Sequence, residues 1–168
     1  SGSMSDAKKM DYALSAAKLL VRSLEKDDQL SLIVYDDVVD VLAPLGPIKN
    51  KEALLQTIDG VFPRGYTFLS GGLEAGIGQF KGKEMAGNPR VLLLSDGLAN
   101  RGVTDRAKVA EIGAAARKKG IAVSAMGLGL EYDESMMELL AQRGGGAYYY
   151  VAEAEDLGGF FRQELALA

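Results

Sequence analysis

The chain has 168 residues, of which 48% are apolar and 25% charged, a usage that suits one self-sufficient globular core and not a disordered or fibrous chain. Its formal net charge of −4, with 19 Lys and Arg, lacks the dense basic face of a phosphate-backbone binder, so nucleic acid is not a predicted partner. With no Cys and no His, disulfides, thiolate nucleophiles, zinc sites and imidazole acid–base catalysis are excluded. Hydroxyls, carboxylates, amines and backbone groups remain for chemistry.

No run of roughly 18 uncharged apolar residues occurs, so membrane insertion by this segment is not predicted. Cysteine usage leaves the compartment open, with cell surface, periplasm and cytoplasm all compatible. The opening Ser1-Gly2-Ser3-Met4 is neither a signal peptide nor an initiator context, which predicts a piece of a longer polypeptide.

After Asp6, Ala7, Met10, Ala13, Leu14, Ala17, Leu20, Val21 and Leu24 recur with a helical period and predict a helix with one buried face. Residues 30–35 read as a buried strand, Asp36-Asp37 as a tight turn, and residues 38–42 as an antiparallel partner strand, with Pro44 and Pro47 closing the hairpin. Asn50 caps a short helix that Gly60 stops. Residues 62–67 form a loop, and a glycine-containing helix follows from Leu69 to about Phe80. Thr67 stands where a cap for that helix belongs.

Val91-Leu92-Leu93-Leu94 is the continuous apolar run of a strand covered on both faces, ended by Asp96-Gly97. Asp105 caps a helix that Gly120 stops, and residues 121–126 form the next strand. Asp133 caps a helix to Gln142, three glycines break it, residues 147–151 form a last strand, and residues 155–167 form a closing helix. Strands that alternate with helices predict an α/β fold: a doubly wound, mostly parallel sheet with one antiparallel edge strand and helices on both faces.

In such sheets ligands sit beyond the carboxyl ends of the strands. Ser1-Gly2-Ser3, Gly65-Tyr66-Thr67 and Ser95-Asp96-Gly97 belong at that end, and they offer hard oxygen donors of the type Mg²⁺, Mn²⁺ and Ca²⁺ prefer. Tyr148-Tyr149-Tyr150 reads as strand packing with one ring exposed, because a strand alternates its faces. Lys8-Lys9 and Arg117-Lys118-Lys119 read as solvated charge on helices.

The three segments, taken with Phe68-Leu69 and Leu93-Leu94, resemble the three loops of the metal-ion-dependent adhesion site (MIDAS) of von Willebrand factor A domains. Gly127-Leu128-Gly129 and the glycine-tyrosine stretch from Gly145 to Tyr150 are similar to the bacterial branch of that family. The resemblance spans nearly the whole chain and implies one such domain over residues 1–168. It implies metal ligation by Ser1, Ser3, Thr67 and Asp96, with Mg²⁺, Ca²⁺ or Mn²⁺ as the cation. It further implies that an Asp or Glu of a protein partner takes the remaining coordination position, and that no reaction is catalysed. Position alone puts Arg64, Tyr66, Leu98 and Asn100 on the rim.

The family pattern is Asp-x-Ser-x-Ser, and this sequence opens at its first Ser. The resemblance therefore implies that the motif Asp, and the central strand leading into it, come from a preceding segment or another chain. That strand would lie between residues 30–35 and 91–94. Without it, two rows of buried backbone groups would be left unpaired, each group costing about 1–3 kcal/mol, against a whole-domain stability of about 5–15 kcal/mol.

Two other readings compete. A Mg²⁺-dependent phosphoryl-transfer enzyme would need a second Asp in the residue 95–97 loop or a Walker-type loop, and the sequence has neither. A structural subunit of a chelatase or AAA-type assembly would be distinguished by sequence outside these residues.

Overall fold

Amphipathic helices alternate with short apolar strands in the computed structural model, which describes residues 7–62, 66–84, 87–95, 98–128, 132–152 and 154–167. The order is α1 (Ala7–Ser23), β1 (Gln29–Tyr35), β2 (Val39–Pro47), α2 (Lys51–Asp59), α3 (Leu69–Gly78), β3 (Arg90–Ser95), α4 (Arg106–Lys118), β4 (Ala122–Leu128), α5 (Glu134–Gly144), β5 (Gly145–Val151) and α6 (Ala154–Leu167). The caps read from the sequence are in place: the Asn50, Asp105 and Asp133 side chains accept from the N–H groups of Ala53, Lys108 and Met136, each at 3.0 Å.

The strands β3, β4 and β5 form a parallel sheet in that order, with β3 and β4 in register from Arg90 opposite Ala122 to Ser95 opposite Gly127. An antiparallel pair, β1 and β2, forms a separate two-stranded sheet. β2 runs through Pro44 to Pro47 rather than stopping before them. It pairs on one side only among the described residues, and an edge strand accommodates proline because the missing N–H has no second neighbour to serve.

Alternation along the strands sorts the core into two layers. Leu93, Val123 and Ala125 point to the face covered by α3, α4 and α5, where they meet Leu69, Leu73, Val109, Met137 and Leu140. Met126, Leu128, Tyr149 and Val151 point to the other face, against Met10 of α1 and Leu157 and Phe161 of α6. A buried polar cluster fixes α6 to this layer. The Glu164 carboxylate, 5% exposed, accepts from Ser124 Oγ at 2.9 Å, the Tyr149 hydroxyl at 2.8 Å and Arg90 Nε at 2.9 Å. Burial, then the Glu164 carboxylate, pushes the Tyr149 phenol up to about 12. Of the three consecutive tyrosines, Tyr149 is buried, Tyr148 half-buried, and Tyr150 exposed and stacked on Tyr132 at 6.3 Å.

Between the two sheets, β1 and β3 are not hydrogen-bonded to each other, and among the described residues no strand pairs with either of their facing edges. The Tyr35 hydroxyl at the end of β1 reaches across to the Leu94 carbonyl at the end of β3, 2.7 Å away. Helices lie over this gap on both faces. A Cβ on Gly76 of α3 would stand 3.3 Å from Val91 of β3 and 4.0 Å from Ile33 of β1. On the opposite face Leu14 of α1 packs both with the cluster that holds Leu92 and Leu94 and with the one that holds Leu30 and Leu32. Buried positions make up nearly all of β4, whereas β1 and most of β3 are only half-buried, as open edges require.

Candidate functional site

The carboxyl ends of β1 and β3 and the start of α3 meet at one end of the sheet, and hydrogen bonds between their loops fix the position of Thr67. The Thr67 N–H donates to Asn100 Oδ1 at 2.7 Å, and the Thr67 carbonyl accepts the Asn100 N–H at 3.3 Å. On the other side, the Phe68 N–H donates to the Asp36 carbonyl at 3.0 Å, and the Tyr66 N–H donates to the Asp37 carboxylate. Asp36 also shapes its own turn, its Oδ1 accepting the Val38 N–H at 3.1 Å. Two neighbouring contacts brace the clasp: the Val103 N–H donates to Ser70 Oγ at 3.0 Å, and the Arg101 guanidinium lies 5.7 Å over the Phe68 ring. Gly102 fits that brace because its φ is +70° and any Cβ would stand 2.3 Å from the Phe68 ring.

Both bonds between Thr67 and Asn100 engage the backbone of Thr67. Its side chain is 1% exposed, and among the described residues nothing hydrogen-bonds its hydroxyl. A buried hydroxyl without a partner costs about 1–3 kcal/mol. It is the kind of group that a ligand completes. Phe68 is the N-cap of α3 and no side chain caps that helix, so Thr67 does not play the capping role its position suggested. Among the described residues it is the backbone of Thr67, not its side chain, that makes the loop contacts.

Of the remaining residues singled out from the sequence, Tyr66, Leu98 and Asn100 lie on the clasped loops and are exposed. Asn100 is more than rim, since its amide holds Thr67. Ser1, Ser3, Arg64 and Asp96 lie outside the described residues. Ser95, immediately before Asp96, ends β3 and is buried. Asp36, Asp37 and Ser70 were not among the residues proposed from sequence. The Asp36-Asp37 pair signalled a turn, but nothing local signalled that it grips a loop 29 residues away.

Among the described residues no group of three or more Asp or Glu could hold a metal. The donor set suggested by the sequence consists of hydroxyls with one carboxylate, and the Thr67 hydroxyl, buried and without a partner among the described residues, fits it. Such a set carries little negative charge, which leaves a bound divalent cation able to attract a further carboxylate.

The family model of the von Willebrand factor type A domain matches residues 1–163. The Escherichia coli (strain K12) protein YfbK, described as uncharacterized, is 31% identical over 153 residues; the match covers 90% of this chain but 27% of YfbK, so the chain spans about a quarter of that relative's length. The structure of von Willebrand factor type A from Catenulispora acidiphila superposes with a TM-score of 0.86 at 18% identity, covering 99% of this chain and 40% of that one. Proximal thread matrix protein 1 from the mussel byssus, solved with a zinc-occupied MIDAS motif, superposes with a TM-score of 0.73 at 20% identity, covering 96% of this chain and 43% of that one. Domains of this kind are generally protein-interaction modules, and they commonly bind a divalent metal at that motif. The chain belongs to the von Willebrand factor type A family.

Proposed function

We propose that this domain is a divalent-cation-dependent protein-interaction module of the MIDAS type. The hydroxyls of Ser1, Ser3 and Thr67 and the carboxylate of Asp96 hold the cation, and an Asp or Glu of the partner completes the coordination. The observation that carries this reading is the Thr67 hydroxyl, buried and without a described partner at the carboxyl end of the sheet. When bound, Mg²⁺, Ca²⁺ or Mn²⁺ supplies a hard, electrophilic centre for oxygen ligands. The chain's own part is to fix Thr67 through Asn100 and Asp36, and to present the donors with little compensating charge. The function is recognition without turnover. Zinc in the mussel protein's motif supports the site's chemistry and leaves the choice of ion to the site's geometry.

We further propose that a strand ahead of α1 in the same polypeptide lies between β1 and β3 and delivers the remaining motif carboxylate. Two facing edges, covered by α1 and α3 on opposite faces, support this. α1 runs from the carboxyl toward the amino end of the sheet and feeds β1, so a right-handed crossover calls for a parallel strand beside β1.

The test of the function is pull-down of partners by the full chain with Mg²⁺ or with EDTA. Binding in Mg²⁺ should be lost in EDTA and in Asp96→Ala and Thr67→Ala, with circular dichroism unchanged. Partner binding that persists in EDTA would refute the reading.

A further inference from the structure

Large apolar side chains are exposed on each of the three loops that meet at Thr67. Val38, in the turn held by Asp36, is 49% exposed; Tyr66, next to Thr67 and tied to Asp37, is 60% exposed; Leu98, two residues before Asn100, is also 60% exposed. Phe62, at 68%, opens the loop that leads to Tyr66. These positions come from segments far apart in sequence, and the hydrogen bonds already described draw the first three to one end of the sheet. Scattered exposed apolar residues are ordinary on a protein surface, but apolar residues exposed on three loops that hydrogen bonds hold to one another make a candidate interaction site. The clasp also means that ordering these side chains at an interface costs little, since the backbone beneath them is already fixed. None of the three carries a charge that would repel or attract a partner on its own.

We infer that Val38, Tyr66 and Leu98 form an apolar collar around the candidate cation site, and that it selects a protein segment whose acidic residue is flanked by large apolar side chains. The inference rests on the proposed cation site for the acidic half of the ligand and on the exposed collar for the apolar half. A carboxylate seated at the centre places its sequence neighbours against the collar, where burying Leu- or Phe-sized groups adds affinity that a glycine-flanked carboxylate cannot gain. The collar therefore sets which acidic residues are bound.

Two peptides, acetyl-Gly-Asp-Gly-amide and acetyl-Leu-Asp-Phe-amide, titrated into the full chain in Mg²⁺ and in EDTA with NMR detection, test this. The apolar peptide should bind at least about tenfold more tightly in Mg²⁺. That preference should vanish in Val38→Ser/Leu98→Ser while the glycine peptide's affinity stays as it was. Equal affinities, or no binding of either peptide, overturn the collar. A preference that survives undiminished in EDTA keeps the collar and overturns the cation reading, so the two can fail separately. If the double variant unfolds, Tyr66→Ser alone carries the same comparison.

Discussion

Replacing Thr67 by Val separates a residue kept for binding from one kept for folding. The two side chains have nearly the same shape, and the substitution leaves both backbone bonds to Asn100 in place. It removes a hydroxyl that is 1% exposed and has no described partner, and so removes a desolvation penalty of about 1–3 kcal/mol. In EDTA the variant should therefore be more stable than the parent, by about 1–2 kcal/mol in urea unfolding. In Mg²⁺ at about a hundred times its dissociation constant the parent should gain about 2.7 kcal/mol by linkage while the variant gains little, so the order reverses. Urea titrations of both proteins in the two buffers read this directly. A variant that is less stable in EDTA, or that gains as much from Mg²⁺ as the parent, would show that the hydroxyl is structural.

Three further outcomes follow from the same geometry. Glu164→Ala leaves Arg90, Ser124 and Tyr149 without their shared acceptor and should cost about 3–5 kcal/mol in urea unfolding. A loss below about 1 kcal/mol would mean that α6 is held by its apolar contacts alone. The Tyr149 phenol, raised in the folded state to about 12 from its ordinary 10.0, favours the native state below pH 10, and that advantage is lost as pH rises from about 10 to about 12. The loss is of order 2–3 kcal/mol, and Tyr149→Phe should lessen it without abolishing it, because the Tyr132 and Tyr148 phenols are raised as well; a parent whose urea midpoint holds steady to pH 12 contradicts it. For the gap, a six-residue Val/Ile extension before Ser1 should raise the melting temperature and slow amide exchange in β1 and β3. The same extension with a central Pro should do neither, and equal effects of both would rule out a strand there.

The architecture was legible wherever one local rule decides an element. The helical period after Asp6 and the leucine run of β3 gave their elements to within a residue or two, as did the Asn50, Asp105 and Asp133 caps. β2 was read too short because proline breaks an interior strand, and only the sheet order shows that this strand is at the edge. Thr67 was read as both ligand and cap, but the loop approaches α3 with Phe68 in the cap position, which sequence spacing does not fix. Asn100 holds Thr67 and Asp36 holds Phe68 through contacts 33 and 32 residues apart in sequence, contacts that exist only after the strands assemble. Glu164 did leave a signal, a lone acid on the stripe of Leu157 and Phe161 at helical spacing, the pattern of a buried and paired carboxylate.

The central claim, that Thr67 and Asp96 help hold a divalent cation, is tested most directly by titrating Mn²⁺ into the metal-stripped chain and following free Mn²⁺ by electron paramagnetic resonance. One Mn²⁺ should bind per chain and be displaced by Mg²⁺, with binding lost in Asp96→Ala and weakened in Thr67→Val. Binding that is unchanged in both variants would contradict it.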